Sequence, residues 1–415
     1  GVEGVARMGG SKAVVLIGGP SKGTRFRPLS FVAPKPLFPL AGGALLDQHV
    51  AACAEAGVEE VLLIGFFAPE QFSAYCAAAR AAHGVRVRYL AERGRLGTGG
   101  GLHAFAAELA AGLGADGVLF VLHCDILCAF PLAQLRAFHR AAGGMATLLA
   151  TRAPAAGPFG RLVLAPAGEV LHYAEKPETF VSDVANCGVY AFSPALFQEL
   201  ARVAAAKARR AAGHARSPSQ PPLYPDLRSS VAADGSVRIG LEQDLLMPLA
   251  GTGRLFGFVT DDYWLQLKRP IAALQASRLL LARGSTCGQA LAGAEAPCRV
   301  EGDVLIDPSA RVHPTAKLGP NVTVGRDVVV GAGVRVRNSI LLPGVELEER
   351  ACVLNSIVGW RSRVGPWARV EGSDPAEHIT ILGEGVVAQP EICVRDCIVL
   401  PHKELSRNHA GEIIL

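Results

Sequence analysis

From Ile306 onward the chain counts in sixes. Ile306, Val312, Leu318, Val324, Val330, Val336 and Leu342 follow one another at six-residue intervals. Ala310, Ala316, Val322, Val328, Val334 and Ile340 keep the same interval with small or branched side chains. Gly, Pro, Asn and Asp fill the corners between them, where a chain has to turn. Hexapeptide repetition of this regularity predicts a parallel β-helix, in which each coil carries an apolar face that it buries on its neighbours. After a shift of phase the repeat resumes at Val358, Val364 and Val370, and again near Ile392 and Ile398.

The preceding two thirds keep a different rhythm. Short apolar runs at 12–17, 61–66, 85–90, 118–122 and 147–150 read as strands, and 68–82 and 131–142 read as helices between them. Alternation of this kind predicts a doubly wound, Rossmann-like α/β sheet that binds ligands at the carboxyl ends of its strands. The expected organisation is an α/β domain over 11–275, a linker over 276–300 and the β-helix over 301–415. Within the first domain, 201–230 (containing KARRAAGHARSPSQPP) reads as a flexible insertion, helical in front and a solvent loop behind.

One segment carries most of the chemistry. The apolar strand at 12–17 breaks at Gly18-Gly19 into a loop with Gly23, Thr24, Arg25 and Arg27, followed by Lys35 between two prolines. Glycines let backbone N–H groups approach a phosphate, and Arg and Lys neutralise charge on phosphoryl oxygens. The segment lacks the Gly-Lys-Ser/Thr ending of a P-loop and the strict G-x-G-x-x-G of a dinucleotide fold. It suggests a nucleoside triphosphate site of another kind.

The pattern G-G-x(n)-G-T-R-x-x-P-L-x(5)-K-P is similar to the signature of the sugar-1-phosphate nucleotidyltransferases, which join a nucleoside triphosphate and a sugar 1-phosphate into a nucleotide sugar and pyrophosphate. Pro20-Ser21-Lys22 before Gly23 makes the loop two residues longer than the common form. That loop, together with NSIVGW at 355–360, HITILG at 378–383 and the closing IVLPHKEL…EIIL, resembles the alpha (regulatory) branch of the GDP-mannose pyrophosphorylases. The resemblance covers almost the whole chain. It implies a nucleotidyltransferase domain followed by a left-handed β-helix.

It also implies roles for particular residues. Gly18, Gly19, Gly23 and Thr24 would bind nucleotide, with Arg25 and Lys35 as the catalytic cations on its phosphates. Gly97 and Thr98, in LGTGGG after the 85–90 strand, would lie against the base. Asp125, closing FVLHCD, would hold Mg²⁺, a cation suited to hard carboxylate oxygens. Its neighbours His123 and Cys124 read as packing, because soft donors suit Mg²⁺ poorly. Glu175-Lys176-Pro177 and Asn186-Cys187-Gly188 resemble the sugar-phosphate half, with Glu175, Lys176, Asn186 and Gly188 as its contacts.

One position departs from the pattern. Active relatives carry W-x-D-x-G, whose Asp is the second metal ligand, and this chain has Trp264-Leu265-Gln266-Leu267-Lys268. An amide carries no charge, and a lost charge contact at 4 Å is worth about 4 kcal/mol at an effective dielectric near 20. Felt wholly in the transition state, that is on the order of a thousandfold in rate. Glu242 and Asp244 in LEQD are upstream carboxylates available to compensate. A second departure is the short GSDPAEH between Glu371 and Ile379, where animal alpha subunits carry a much longer insertion.

Composition narrows the remaining choices. A net charge of +4 on 415 residues argues against nucleic-acid binding and for no membrane attachment. No apolar run reaches the roughly 20 residues of a membrane span, and residues 1–10 lack the apolar core of a secretory signal. Ten cysteines without metal-ligand spacing predict reduced thiols and a cytoplasmic setting. The resulting expectation is a regulatory subunit that binds GDP-mannose or GTP, with weak Mg²⁺ use and an impaired site of its own. It would modulate a catalytic beta-type subunit within a homo- or hetero-oligomer. The alternative is a working mannose-1-phosphate guanylyltransferase.

Overall fold

The computed structural model describes residues 10–20, 23–153, 159–214, 237–293, 296–374 and 377–415. Ser21 and Lys22 of the Gly-rich loop, and the part of the expected insertion beyond residue 214, lie outside the described residues. The chain divides into two compact units: residues up to Pro20 with His49–Trp264, and Ser21–Gln48 with Leu265–Leu415.

The first unit is built on a nine-stranded sheet. Four strands, Val118–His123, Ser11–Gly18, Glu60–Gly65 and Arg86–Ala91, lie side by side and parallel in that order. The central residues of the first three are apolar on both faces, as a sheet covered by helices requires, while the outer strand Arg86–Ala91 alternates and exposes Arg86 and Arg88. Val184–Phe192 then joins Val118–His123 in antiparallel sense, so the sheet is mixed. Ala146–Arg152 pairs with Val184–Phe192 on one edge and with Leu255–Thr260 in parallel on the other. The helices Glu70–His83, Leu132–Ala142 and Ala195–His214 belong to this unit, the last of them covering the front of the expected insertion. A core including Val14, Leu62, Leu119, Val121, Tyr190, Phe192, Leu241 and Leu245 is fully buried.

The β-helix unit consists of three parallel sheets, each taking every third strand of the chain. The inner apolar column runs Val304, Leu318, Val324, Val330, Val336, Leu347, Val353, Val358 and onward. Burying each such side chain contributes roughly 1.5–3 kcal/mol.

The hexad series holds up to Val336 and then slips. Ile306 pairs with Val324, three hexads on, but Val324 pairs with Leu341 rather than with Leu342. The coil loses a residue at Asn338, which takes a left-handed φ of 45° at the corner. Asn tolerates that conformation better than most side chains, and here its amide donates to the Asn355 Oδ1 of the next coil at 2.9 Å. The expected inward place of Leu342 is therefore corrected: it points to a different apolar cluster, as does Ile340.

That cluster lies on the outer face of one sheet. Thr323, Ile340, Ile357, Ile381 and Ile398 stand in register across successive coils. Against them pack Phe26, Leu29 and Phe38 of the 23–48 segment, and Ala273 and Leu274 of the helix Pro270–Ala282. Ser277 and Thr323 share a hydrogen bond of 3.0 Å at the same contact. In the short GSDPAEH stretch Asp374 and His378 form an antiparallel bridge, and the two residues at 375–376 lie outside the described residues. All ten cysteines are free thiols, and no helix among the described residues is long and apolar enough to cross a membrane.

Candidate functional site

The carboxyl ends of the parallel strands present Gly18-Gly19, the loop after Arg86–Ala91, and the turn from His123 to Asp125. In the second of these, Gly97 has φ of 83°, and a Cβ there would sit 2.5 Å from the Ile239 carbonyl oxygen. Only glycine fits so close an approach. The Ile239 N–H donates to the Leu96 carbonyl at 2.9 Å, and the Gly99 N–H donates back to the Ile239 carbonyl at 2.9 Å. Thr98 closes the brace: its hydroxyl oxygen accepts the Leu241 N–H at 2.8 Å and its O–H donates to Glu242 Oε2 at 3.1 Å.

Glu242 belongs to a π-helical turn, Leu241–Leu246, a geometry that often marks functional positions. The turn is held by Asp244, whose carboxylate takes the Gly240 N–H at 2.7 Å and pairs with Lys207 Nζ at 2.5 Å. Asp244 is therefore committed to structure. Glu242 is committed as well: Oε1 stands 3.2 Å from His123 Nε2 and receives the Tyr190 hydroxyl at 3.4 Å. At this approach His123 Nε2 makes no well-aligned hydrogen bond among the described residues. Burial by itself would raise the Glu242 carboxyl, but His123 and Thr98 outweigh it and hold the group down at about 2. Burial would likewise lower His123, and the facing carboxylates of Glu242, Asp125 and Glu175 leave it raised instead.

The residues predicted for the sugar-phosphate half join the same network. Asn186 Nδ2 donates to the Tyr190 hydroxyl at 3.0 Å and to the Tyr173 hydroxyl at 3.1 Å. Its Oδ1 accepts the Gly188 N–H at 2.9 Å. Gly188 has φ of 78°, and a Cβ there would come within 3.2 Å of Ile126. Tyr173 donates in turn to Glu175 Oε2 at 2.9 Å, and Glu175 Oε1 pairs with Lys176 Nζ at 2.6 Å. Burial raises both tyrosines, and the carboxylates they face raise them further, so each keeps its proton and remains a donor. Lys176 is more than half exposed and has φ of 51°, an uncommon conformation for a side-chain-bearing residue.

Asp125 is half-buried at the end of its strand, beside a buried Cys124. Among the described residues no three His, Cys, Asp or Glu side chains converge to hold a metal ion. A single carboxylate does not make a preformed magnesium site, because such an ion needs further oxygens from water or substrate phosphate.

In the other unit, Thr24–Phe26 forms a tight turn that leaves Arg25 exposed, without a hydrogen bond or ion pair among the described residues. Gly23 accepts the Ser30 hydroxyl on its carbonyl at 2.8 Å. Lys35 Nζ lies 5.6 Å over the Phe26 ring. The Gln266 side-chain oxygen is buried with no hydrogen-bond partner among the described residues. Trp264, in the first unit, donates its indole N–H to the Cys187 carbonyl at 3.0 Å.

The structure thus joins Thr98, Glu175, Lys176, Asn186 and Gly188 in one hydrogen-bonded chain. Sequence reasoning missed His123, Tyr173, Tyr190 and the bridging place of Glu242. The available signals were a histidine next to the strand-end acid and a tyrosine four residues after Asn186.

Comparison with known proteins matches two families to separate stretches of the chain. The family described as Nucleotidyl transferase matches residues 12–216, and the one described as GMPPB C-terminal domain matches residues 300–414. The mannose-1-phosphate guanylyltransferase regulatory subunit alpha of Xenopus tropicalis is 44% identical over 435 aligned residues, covering 97% of this chain and 100% of that protein. The proteins of the same name from Homo sapiens and Sus scrofa are 44% and 43% identical, with the same coverage.

Proposed function

Because the chain belongs to the sugar nucleotidyltransferase family, in the branch of the mannose-1-phosphate guanylyltransferase regulatory alpha subunits, we propose that it binds GDP-mannose or GTP and modulates a catalytic beta-type subunit, with little or no transfer activity of its own. The observation that carries this reading is Gln266, a half-buried neutral amide with a buried oxygen that has no hydrogen-bond partner among the described residues, at the position where the family pattern has a carboxylate. Glu242 and Asp244 do not replace that charge, since each is already engaged by other side chains. The ligand half of the site is retained: Thr98, Asn186, Glu175 and Lys176 stand in one connected set.

On this reading Arg25, with Gly18, Gly19, Gly23 and Thr24, serves nucleotide phosphates, and Lys35 assists it. Asp125 would hold Mg²⁺ only together with bound phosphate oxygens, and the ion would supply charge neutralisation there. The free thiols suit a reducing, cytoplasmic setting. Each β-helix sheet ends in a strand with no further strand beside it among the described residues, an edge suited to stacking against a further copy or against a beta-type subunit.

A thermal-shift series tests the ligand claim. A ligand bound only by the native state adds about 2.7 kcal/mol at a hundred times its dissociation constant. GDP-mannose should stabilise the chain more than ADP-glucose or UDP-glucose, and equal shifts for all three would remove the specificity. A second reading, an active guanylyltransferase, draws on the retained Arg25, Lys35 and Asp125, and pyrophosphate release decides between the two.

A further inference from the structure

We propose that Glu242 is a positioning residue that couples the two halves of the ligand site, so that the loop holding the nucleotide and the loop holding the sugar phosphate are read as one. This rests on the functional reading above. The side chain has both carboxylate oxygens occupied, and each faces a different half. Oε2 takes the Thr98 hydroxyl, in the turn just before the helix Gly100–Ala104. Oε1 takes the Tyr190 hydroxyl, which accepts from Asn186. From Asn186 the chain continues through Tyr173 to Glu175 and Lys176.

The direction of the bonds gives the bridge its stiffness. Asn186 has two amide hydrogens and gives one to each tyrosine, and each tyrosine gives its own hydrogen to a carboxylate. No hydroxyl in the chain can turn around without breaking two bonds. Burying a carboxylate is costly, and an apolar side chain of similar size would fill the same space at lower cost. Glu242 nevertheless stands in the interior, with His123 Nε2 3.2 Å from its Oε1. Its backbone is held in place by Asp244, Lys207 and the Gly240 N–H. A shift of Thr98 on nucleotide binding must therefore move the acceptor that orients Tyr190 and Asn186. Coupling between sites of this kind is commonly fivefold or more in affinity.

Thr98 and Tyr173 share no hydrogen bond with one another among the described residues. Independent sites lose affinity multiplicatively, and a shared network makes the losses fall short of that product. The test uses the full chain, with Thr98→Val and Tyr173→Phe made singly and together, first with Glu242 present and then in Glu242→Gln. The GDP-mannose dissociation constant is read by calorimetry, and thermal unfolding is read in parallel on the ligand-free proteins. With Glu242 in place, the combined loss of affinity should fall short of the product of the single losses by fivefold or more. In Glu242→Gln the losses should multiply within twofold. Tyr190→Phe leaves the Glu242–His123 pair intact and cuts the bridge one bond further along. It should abolish the coupling in the same way, and it serves if the Gln variant fails to fold. Multiplicative losses with Glu242 present, or an unchanged departure without it, would overturn the bridge while leaving the functional reading intact. No binding of GDP-mannose to the unmodified chain would overturn both.

Discussion

Phe38 stands edge-on to Trp360, ring centroids 6.1 Å apart at 88°. Phe38 is in turn edge-on to Phe26, at 5.1 Å and 82°. The segment that carries Arg25 and Lys35 is thereby seated on the outer face of the β-helix, over the row of isoleucines at 340, 357 and 381. The β-helix fixes the position of these two cations.

Trp360→Ala removes a nearly buried ring from that seat and should cost about 3–5 kcal/mol of stability. It should also weaken nucleotide binding, because the Phe26 turn next to Arg25 loses its support. Chemical unfolding together with a GDP-mannose titration checks both. Lost stability with unchanged affinity would detach the seat from function.

Arg25→Ala is the complementary change. The side chain is exposed and forms no contact among the described residues that folding would miss. The melting temperature should stay within a degree or so of the parent while GDP-mannose affinity falls about tenfold, the loss expected for one charge-assisted hydrogen bond. Unchanged affinity would remove Arg25 from the site.

His139 makes stability depend on acid. It is buried, its ring bonded to the Thr147 hydroxyl at 2.8 Å. Burial, with Arg140 adding to it, lowers its pKa from 6.5 to about 4. The unfolded chain takes up that proton from pH 6.5 downward while the folded chain resists, so stability falls as pH drops through this window. The full difference amounts to about 3 kcal/mol. Melting curves from pH 7 to 4 should fall more steeply for the parent than for His139→Gln, and parallel curves would refute the assignment.

Much of this molecule was legible because its periods are simple. The strands at 12–17, 61–66 and 118–122 are largely continuous apolar runs, that at 85–90 alternates apolar residues with arginine, and all four appear within a residue or so of those limits. The hexads predicted the coils up to Val336. The pattern could not announce that the corner at Asn338 is a residue shorter, because Ile340 and Leu342 are as apolar as Leu341 and merely face the other way. The site was legible where motifs are contiguous, as at Gly97-Thr98 and Asn186–Gly188. The bridge through Glu242 and Tyr190 was not, since it depends on a π-helical turn meeting a loop and a strand from distant parts of the chain.

Gln266→Asp with Lys268→Gly tests how much of the proposed loss of transfer activity comes from one lost charge. If that charge alone is missing, turnover should rise by about a thousandfold, the equivalent of roughly 4 kcal/mol. Restored Mg²⁺ binding without turnover would place a further defect in the longer loop before Arg25.

The most direct measurement is pyrophosphate release by the unmodified chain alone, with GTP, mannose 1-phosphate and Mg²⁺ at saturating concentrations. The account predicts a rate about a thousandfold below that of a catalytic beta-type subunit assayed alongside. A comparable rate, abolished by Asp125→Asn, would contradict it and establish the chain as an enzyme in its own right.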